Sequence, residues 1–591
     1  MMIPSCTIRT NPLKMIAGLL LVAAVLHTTA SGMPDTEDTV SAWYAARSWV
    51  DATTTGSDEA GSNATGIEGA TACCVILRFD GRLVGIGTAE GDAGSMVRMA
   101  TTRALEDAMD DPTIAALPED LRGAAGKRLT LELEVGGVLE PLIGNSLVDF
   151  ESDIHPLRHG LALRWGNKWA YRYPSRLRLV NNWPEASSLE SMGLGLGLTP
   201  RAAVAGMQRG DVCAYRFEVL GLAQASPSAP PMEVVAGSIG VRDVPNLQSL
   251  ADARVALLDH VIGTLWPGEE SVGVMGAYEP ASDRYKPLIA SNLDQALTAY
   301  ALARAANDRQ LDPAMNDQAA RVSATLLGIL AETDSAGKSS TEHASFLLAL
   351  SAMPDLEETD AIAQHRNAAI SHFQELQQGA SAGTTPVDFH GLSMASLAMA
   401  RTGNHGDARL LADKAWETLP ADRHVSLMPW IAWTELELAG GSTPAHVEEL
   451  VKVRTLLHER QVPSGDDQFG PELVGGFVFG QNPDDVHSQS LRPAAAMPSM
   501  MLSPDLTAPG ERMEMMNRLN AVASFLLRLQ MSSEGAALLR HPERGAGGIR
   551  MAFWDNRMPP AAQVMALLTL EELLSMEDAQ TMFPEDDHEL Y

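Results

Sequence analysis

Cys74-Val75-Ile76-Leu77-Arg78-Phe79-Asp80-Gly81-Arg82-Leu83-Val84-Gly85-Ile86-Gly87 is the stretch from which the fold of the front half is read. Two apolar runs flank an Asp-Gly pair, and Asp-Gly supplies the positive-φ turn that matches the twist of paired strands, so a β-hairpin is expected here. Downstream, Ser95 to Met109 carries Met96, Met99, Ala100 and Ala104 at helical spacing, which predicts a helix packed on that hairpin. Leu129-Thr-Leu-Glu-Leu-Glu-Val135 alternates apolar and polar residues, the pattern of a half-buried strand.

The chain has 591 residues, too many for one core, with 45% hydrophobic and 5% aromatic residues. Abundant Ala, Leu and Met favour a helix-rich globular protein. Of the net charge of −32, about −25 lies beyond Ala223. Such a surface repels phosphate backbones, so no nucleic-acid partner is expected there. Arg9 and Lys14 precede the apolar run Met15 to Leu26, followed by Thr28-Thr-Ala30-Ser-Gly32, which reads as a signal peptide over 1–33 and predicts export, with an uncleaved N-terminal anchor as the other reading. Residues 34–70, rich in Asp, Glu, Thr, Ser and Gly, read as an acidic flexible linker. Four cysteines write no metal quartet, while Cys73 or Cys74 could bridge to Cys213 in an oxidising compartment or remain as buried thiols.

The hairpin, the Leu131-Glu-Leu-Glu-Val135 strand with Glu140-Pro141 after it, the Arg158-His-Gly-Leu-Ala-Leu-Arg-Trp-Gly166 segment and Tyr215-Arg-Phe217 together resemble the AMMECR1 domain family. The resemblance covers about 74–222 and implies a compact α/β domain, expected over 71–223, whose biochemical role is unsettled. The family's Leu-Arg-Gly-Cys-Ile-Gly motif corresponds to Leu83-Val84-Gly85-Ile86-Gly87, without the Arg and the Cys. Any thiol or guanidinium chemistry of that motif is therefore not expected here, and the glycines are left to provide a bend free of side chains. Arg158, Arg164, Lys168, Arg172, Arg176 and Arg178, interleaved with Trp165, Trp169, Tyr171, Tyr173 and Trp183, form a basic aromatic stretch suited to an anion or nucleic-acid surface, to the solvent face of a strand pair, or to docking on the acidic helical domain.

After a linker at 224–245, the pattern predicts about twelve amphipathic helices, near 250–265, 291–306, 316–332, 341–352, 360–378, 390–402, 406–419, 424–439, 444–460, 487–502, 511–531 and 559–577. Leu293, Ala296, Leu297 and Tyr300 mark the apolar stripe of one, and Val564, Leu567, Leu568 and Leu574 that of the last. No steady repeat period points to an open solenoid. Gly475-Gly-Phe-Val-Phe-Gly480 and Gly547-Gly-Ile-Arg-Met-Ala-Phe553 resemble loops of α/α-toroid proteins, the terpenoid-cyclase and six-hairpin glycosidase group. The expected architecture is multidomain: an AMMECR1-like α/β domain, then an all-α toroid of about six hairpins over 246–580 and an acidic tail at 581–591.

Paired carboxylates can serve as acid and base in glycoside cleavage. Candidates are Asp467 and Asp485 on the acidic loop from Ser464 to Gln489, Asp388 before a helix, and Asp555 before the last helix. His390, Trp554, Phe477 and His487 stand beside them as ligand-binding candidates; the alternative for all eight is capping, packing and solvation. No P-loop, dinucleotide fingerprint, His-Glu-x-x-His or Cys-x-x-Cys is present, so no cofactor or metal is expected. The functional expectation is an exported binder of a ligand or partner without assigned catalysis. Its alternatives are a carbohydrate-active hydrolase or lyase at the toroid mouth and a helical-repeat scaffold.

Overall fold

The computed structural model describes residues 32–53, 66–91, 93–143, 154, 158–176, 185–235, 238–239, 245–268, 272–333, 338–377, 388–465, 469–480 and 486–576. The expected signal segment up to residue 31, Asp467 and Asp485 lie outside them. The chain forms two compact units, one mostly from residues up to Glu233 and one mostly from Val234 onward.

The first unit opens with helix α1 (Thr36–Thr53), where the sequence suggested a linker. Ala42, Trp43, Ala46 and Val50 share a helical face and are buried. Arg47 donates to the carbonyls of Leu129 and Gly126, both at 2.6 Å. Burial of that face outweighs the polar composition, so Thr36–Thr53 is helix where a linker was expected, and residues 54–65 lie outside the described ones. The hairpin forms as β1 (Ala72–Phe79) and β2 (Arg82–Glu90), with φ of 50° at Asp80 and 74° at Gly81. Helix α2 (Ala93–Asp110) follows, then β3 (Leu129–Gly136), β4 (Glu140–Pro141), β5 (His159–Trp165), β6 (Lys168–Arg172), helices α3 (Glu185–Gly195) and α4 (Pro200–Arg209), and β7 (Val212–Ala223). The strands lie in the order β2-β1-β3-β7-β5-β6, with β4 also on β7.

Gly85 and Gly87 have a physical reason beyond a bend. A Cβ on Gly85 would sit 2.1 Å from the carbonyl oxygen of Ala104, and one on Gly87 1.9 Å from that of Ala100. The two glycines let strand β2 lie directly on the backbone of α2.

The second unit begins with α5 (Leu247–Gly263) and a hairpin of β8 (Met275–Glu279) and β9 (Arg284–Ile289). Helices α6 (Asn292–Ala306), α7 (Pro313–Glu332), α8 (Ser340–Ser351), α9 (Asp360–Gln377), α10 (Phe389–Arg401), α11 (His405–Thr418), α12 (Trp430–Ala439) and α13 (Val447–Arg460) follow. A 3-10 segment, Ser488–Ala496, runs into α14 (Met497–Leu502), and α15 (Arg512–Leu529) and α16 (Pro560–Leu574) complete the unit.

Two kinds of helix alternate. In α6 every residue from Gln295 to Ala303 is buried, in α10 every one from Gly391 to Ala400, and in α16 every one from Ala562 to Glu571. By contrast α7 buries Ala319, Val322, Ser323, Leu326, Leu327 and Leu330, a single stripe. A helix apolar all round must be covered all round, whereas a striped one can face water. The packing follows: α6 lies on α8, α8 on α10, α10 on α12, α12 on the Ser488–Ala496 segment and α14, these on α16, and α16 back on α6. The striped helices cover them, α7 on α6, α9 on α8, α11 on α10 and α15 on α14. The one-sided stripes expected in the helices of Leu293 and Val564 are thus replaced by burial on all sides.

Candidate functional site

At the N-terminal ends of the central helices, polar side chains join neighbours. Ser339 and Glu342 form a capping box on α8, and Asn292 at the start of α6 donates to Glu342 Oε1 at 3.2 Å. Asp388 caps α10 by accepting from the Gly391 amide at 3.1 Å, while its other oxygen accepts from the Thr341 amide of α8 at 2.8 Å and from the Thr341 hydroxyl. One carboxylate therefore closes two helices. The ends can approach because Gly391 has no Cβ, which would lie 2.7 Å from the backbone of Ser340.

His390 receives a hydrogen bond at Nδ1 from Arg492 Nη2 at 2.7 Å. Burial, reinforced by that guanidinium, pushes the imidazole down to about 4, and burial lowers Arg492 to about 10. Arg492 also donates to the carbonyls of Met428 at 2.9 Å and Ser426 at 3.1 Å. A neutral ring that accepts at Nδ1 carries its proton on Nε2, so His390 presents a donor rather than a base.

Asp555 accepts from Arg557 Nε at 2.7 and 2.9 Å and from the Arg557 amide at 3.0 Å, so its carboxylate is engaged within its own turn. Trp554 beside it is half-buried. Phe477 is fully buried with its ring 6.1 Å from that of Phe479. His487 precedes the Ser488–Ala496 segment, and its carbonyl accepts from the Ser490 amide at 2.9 Å and hydroxyl at 2.7 Å. Asp388 and Asp555 are each spent on local architecture.

The sequence reading missed a charged cluster nearer the C-terminal ends of the central helices. Arg304 Nη2 lies 2.8 Å from Glu572 Oε1 and its Nε 3.3 Å from Glu571 Oε2, with the guanidinium 5.3 Å over the Trp433 ring. Ser499 donates to Glu572 at 2.6 Å. Arg401 donates to the Tyr300 hydroxyl at 2.6 Å while lying over that ring at 5.5 Å. Burial raises Glu571 to about 7, with Arg304 opposing. Neither Glu571 oxygen has a hydrogen-bond donor beyond the Arg304 ion pair, and Trp433 Nε1 and Arg304 Nη1 are buried without partners. The available signal was two adjacent acids in an otherwise apolar helix, Pro560 to Leu574.

Next to this end lies a pocket of about 400 Å³ between α8, α9 and α10. Leu347, Leu350, Met353, Ile362, Ile370 and Met399 supply most of its apolar wall. Its polar side chains are mostly occupied: Ser351 donates to Leu348 O at 2.7 Å, Thr402 to Ala398 O at 3.0 Å, and Asn404 to Asp407 at 2.7 Å. Arg366 and Glu358 at the rim pair at 2.7 Å and are both exposed.

In the first unit Arg164, Lys168 and Arg172 of the basic aromatic stretch lie on strands β5 and β6, while Arg178 and Trp183 lie outside the described residues. Arg164 lies 5.6 Å over Trp169 and 5.8 Å over Tyr215, and Lys168 5.6 Å over Trp165. Arg172 donates to Ser191, and the Tyr171 hydroxyl is hydrogen-bonded to Glu90. Cys73, Cys74 and Cys213 are free thiols, and burial pushes Cys73 up to about 12, which keeps it protonated and inert. Among the described residues no helix is long and apolar enough to cross a membrane, and no group of His, Cys, Asp and Glu is arranged to hold a metal ion.

The geometry defines a class: a multidomain protein with a β-sheet unit and a large helical unit. No protein-family model matches the sequence, and no curated protein is similar to it. Among solved structures it is similar to an uncharacterized protein, PH0010 from Pyrococcus horikoshii, at 19% identity over 32% of this chain and 94% of that one, with a TM-score of 0.25. A likeness at that level says nothing about activity.

Proposed function

We propose that this is an exported binding protein in which an AMMECR1-like unit precedes an α/α toroid of six helical hairpins, and that the helical unit binds a small apolar molecule. The toroid reading is supported by the alternation of all-round and striped helices and by the return of α16 to α6. The AMMECR1-like reading is supported by the Asp80-Gly81 hairpin with its bare glycines, and by β5 and β7 where the resembling segments fall. The observation that carries the binding reading is the pocket between α8, α9 and α10. Its volume of about 400 Å³ and its apolar wall with few, mostly satisfied polar groups match what small-molecule sites require. Titration with an apolar fluorescent dye tests it: saturable binding that Ala398→Phe removes supports the reading, and binding unchanged in that variant contradicts it.

A carbohydrate-active hydrolase is the second reading, favoured by Glu571. A carboxyl raised to about 7 is poised as an acid, with Glu572 next to it in the chain and Arg304, its ion-pair partner, lying over the Trp433 ring. Glycosidase activity abolished by Glu571→Gln in a protein of unchanged fold would support it.

A further inference from the structure

We infer that the occupant of the α8–α9–α10 pocket is an aliphatic molecule with a carboxylate head, seated with its chain among Leu347, Leu350, Ile362, Ile370 and Met399 and its head on Arg366. The inference rests on the binding reading above and adds the chemistry of the ligand. A predominantly apolar wall selects a hydrocarbon chain, because a polar group placed against Leu347, Leu350, Ile362, Ile370 or Met399 would lose its hydrogen bonds to water without replacement. The hydroxyls of Ser351 and Thr402 and one N–H of Asn404 are already committed to Leu348, Ala398 and Asp407.

Arg366 differs from these. Of its five N–H donors, Nη1 is the nitrogen engaged by Glu358, at 2.7 Å, and the side chain is 42% exposed at the rim. The remaining donors form a planar fork, which matches a carboxylate through two parallel charge-assisted hydrogen bonds. Glu358 neutralises the empty site and orients the guanidinium; a bound carboxylate would share that guanidinium with it. The chain is thus held by burial and the head by Arg366, a division that predicts separable effects of substitution.

The test is calorimetric titration of the full chain at pH 7.5 with decanoate, decan-1-ol and decylamine, each below its micellar concentration. Decanoate should bind about tenfold tighter than decanol, with decylamine weakest. Arg366→Gln should bring decanoate down to the affinity of decanol and leave decanol unchanged. Glu358→Gln should tighten decanoate. Equal affinity of decanoate and decanol, or decanoate binding unaffected by Arg366→Gln, overturns the carboxylate head while leaving an apolar site standing. Absence of binding by both decanoate and decanol to the wild-type chain overturns the pocket reading itself, a result that depends on no variant folding correctly.

Discussion

The two ends of the central helices in the second unit handle polarity in opposite ways. At the N-terminal ends, Asn292, Glu342, Asp388 and Arg492 tie one helix to the next through caps and carbonyls, although Gln295 Oε1 and His343 Nδ1 are buried there without partners. Toward the C-terminal ends of α6 and α16, Arg304 and Glu571 hold buried polar atoms without partners, beside Trp433 of α12, and an apolar pocket opens between α8, α9 and α10. Residues that look catalytic in a sequence, an Asp two before a His at a helix start, are here the fastening of the fold. The chemistry that remains available lies in helices whose sequences are almost wholly apolar.

That contrast is most severely stressed by acid. His260, His343, His365, His390 and His458 are all held near 4, principally by burial, whereas unfolded histidine titrates near 6.5. Between these values the unfolded chain binds more protons, so stability falls as pH drops from about 6.5 toward 4. Far-UV circular dichroism during chemical denaturation at pH 7, 6 and 5 should show a falling midpoint; a midpoint constant over that window would contradict the buried neutral histidines. Glu571 has the opposite sign. Its folded value of about 7 lies above the ordinary one, so its contribution is present at low pH and is lost as pH rises through 7.

Removing one cation at the C-terminal end is the next largest perturbation. Arg304→Met strands Glu571 and Glu572 in apolar surroundings and should cost about 3–5 kcal/mol. Adding Glu571→Gln and Glu572→Gln should recover part of that loss, and a cycle without recovery would show that the acids do not depend on Arg304. At the other end, Asp388→Ala removes the cap of α10 and the acceptor of the Thr341 amide in α8, whose own cap Ser339 remains, and should cost about 2 kcal/mol. A loss of 0.5 kcal/mol or less, read from the denaturation midpoint, would show that α8 does not use that carboxylate. Smaller still is Arg409→Met on the periphery, where the guanidinium meets Glu435 at 2.7 Å but His446 also approaches that acid at 2.8 Å; the loss should be about 1 kcal/mol.

Helical periodicity made most of the second unit legible. The helix expected at 390–402 is Phe389–Arg401, and the one at 360–378 is Asp360–Gln377. What a stripe could not reveal was which helices are covered on every side, because small residues such as Ala296 and Ala301 score as weakly apolar yet are fully buried. Helix α1 was legible in Ala42, Trp43, Ala46 and Val50, but the Thr- and Gly-rich composition beyond it masked the spacing. Asp388 could be read as a cap on its own helix, and its second bond to Thr341, 47 positions away, could not. Glu571 escaped because acids near a helix end usually face water, and only the tertiary packing of α16 against α5, α6 and the Ser488–Ala496 segment buries this one.

The most direct test of the binding account is methyl NMR of protein carrying labelled methionines during titration with decanoate. The account predicts saturable shifts at Met353 and Met399, which line the pocket, and none at Met500 or Met515, which are buried in α14 and α15. Shifts at Met500 or Met515 with Met353 and Met399 unmoved, or no saturable shift at all, would contradict it.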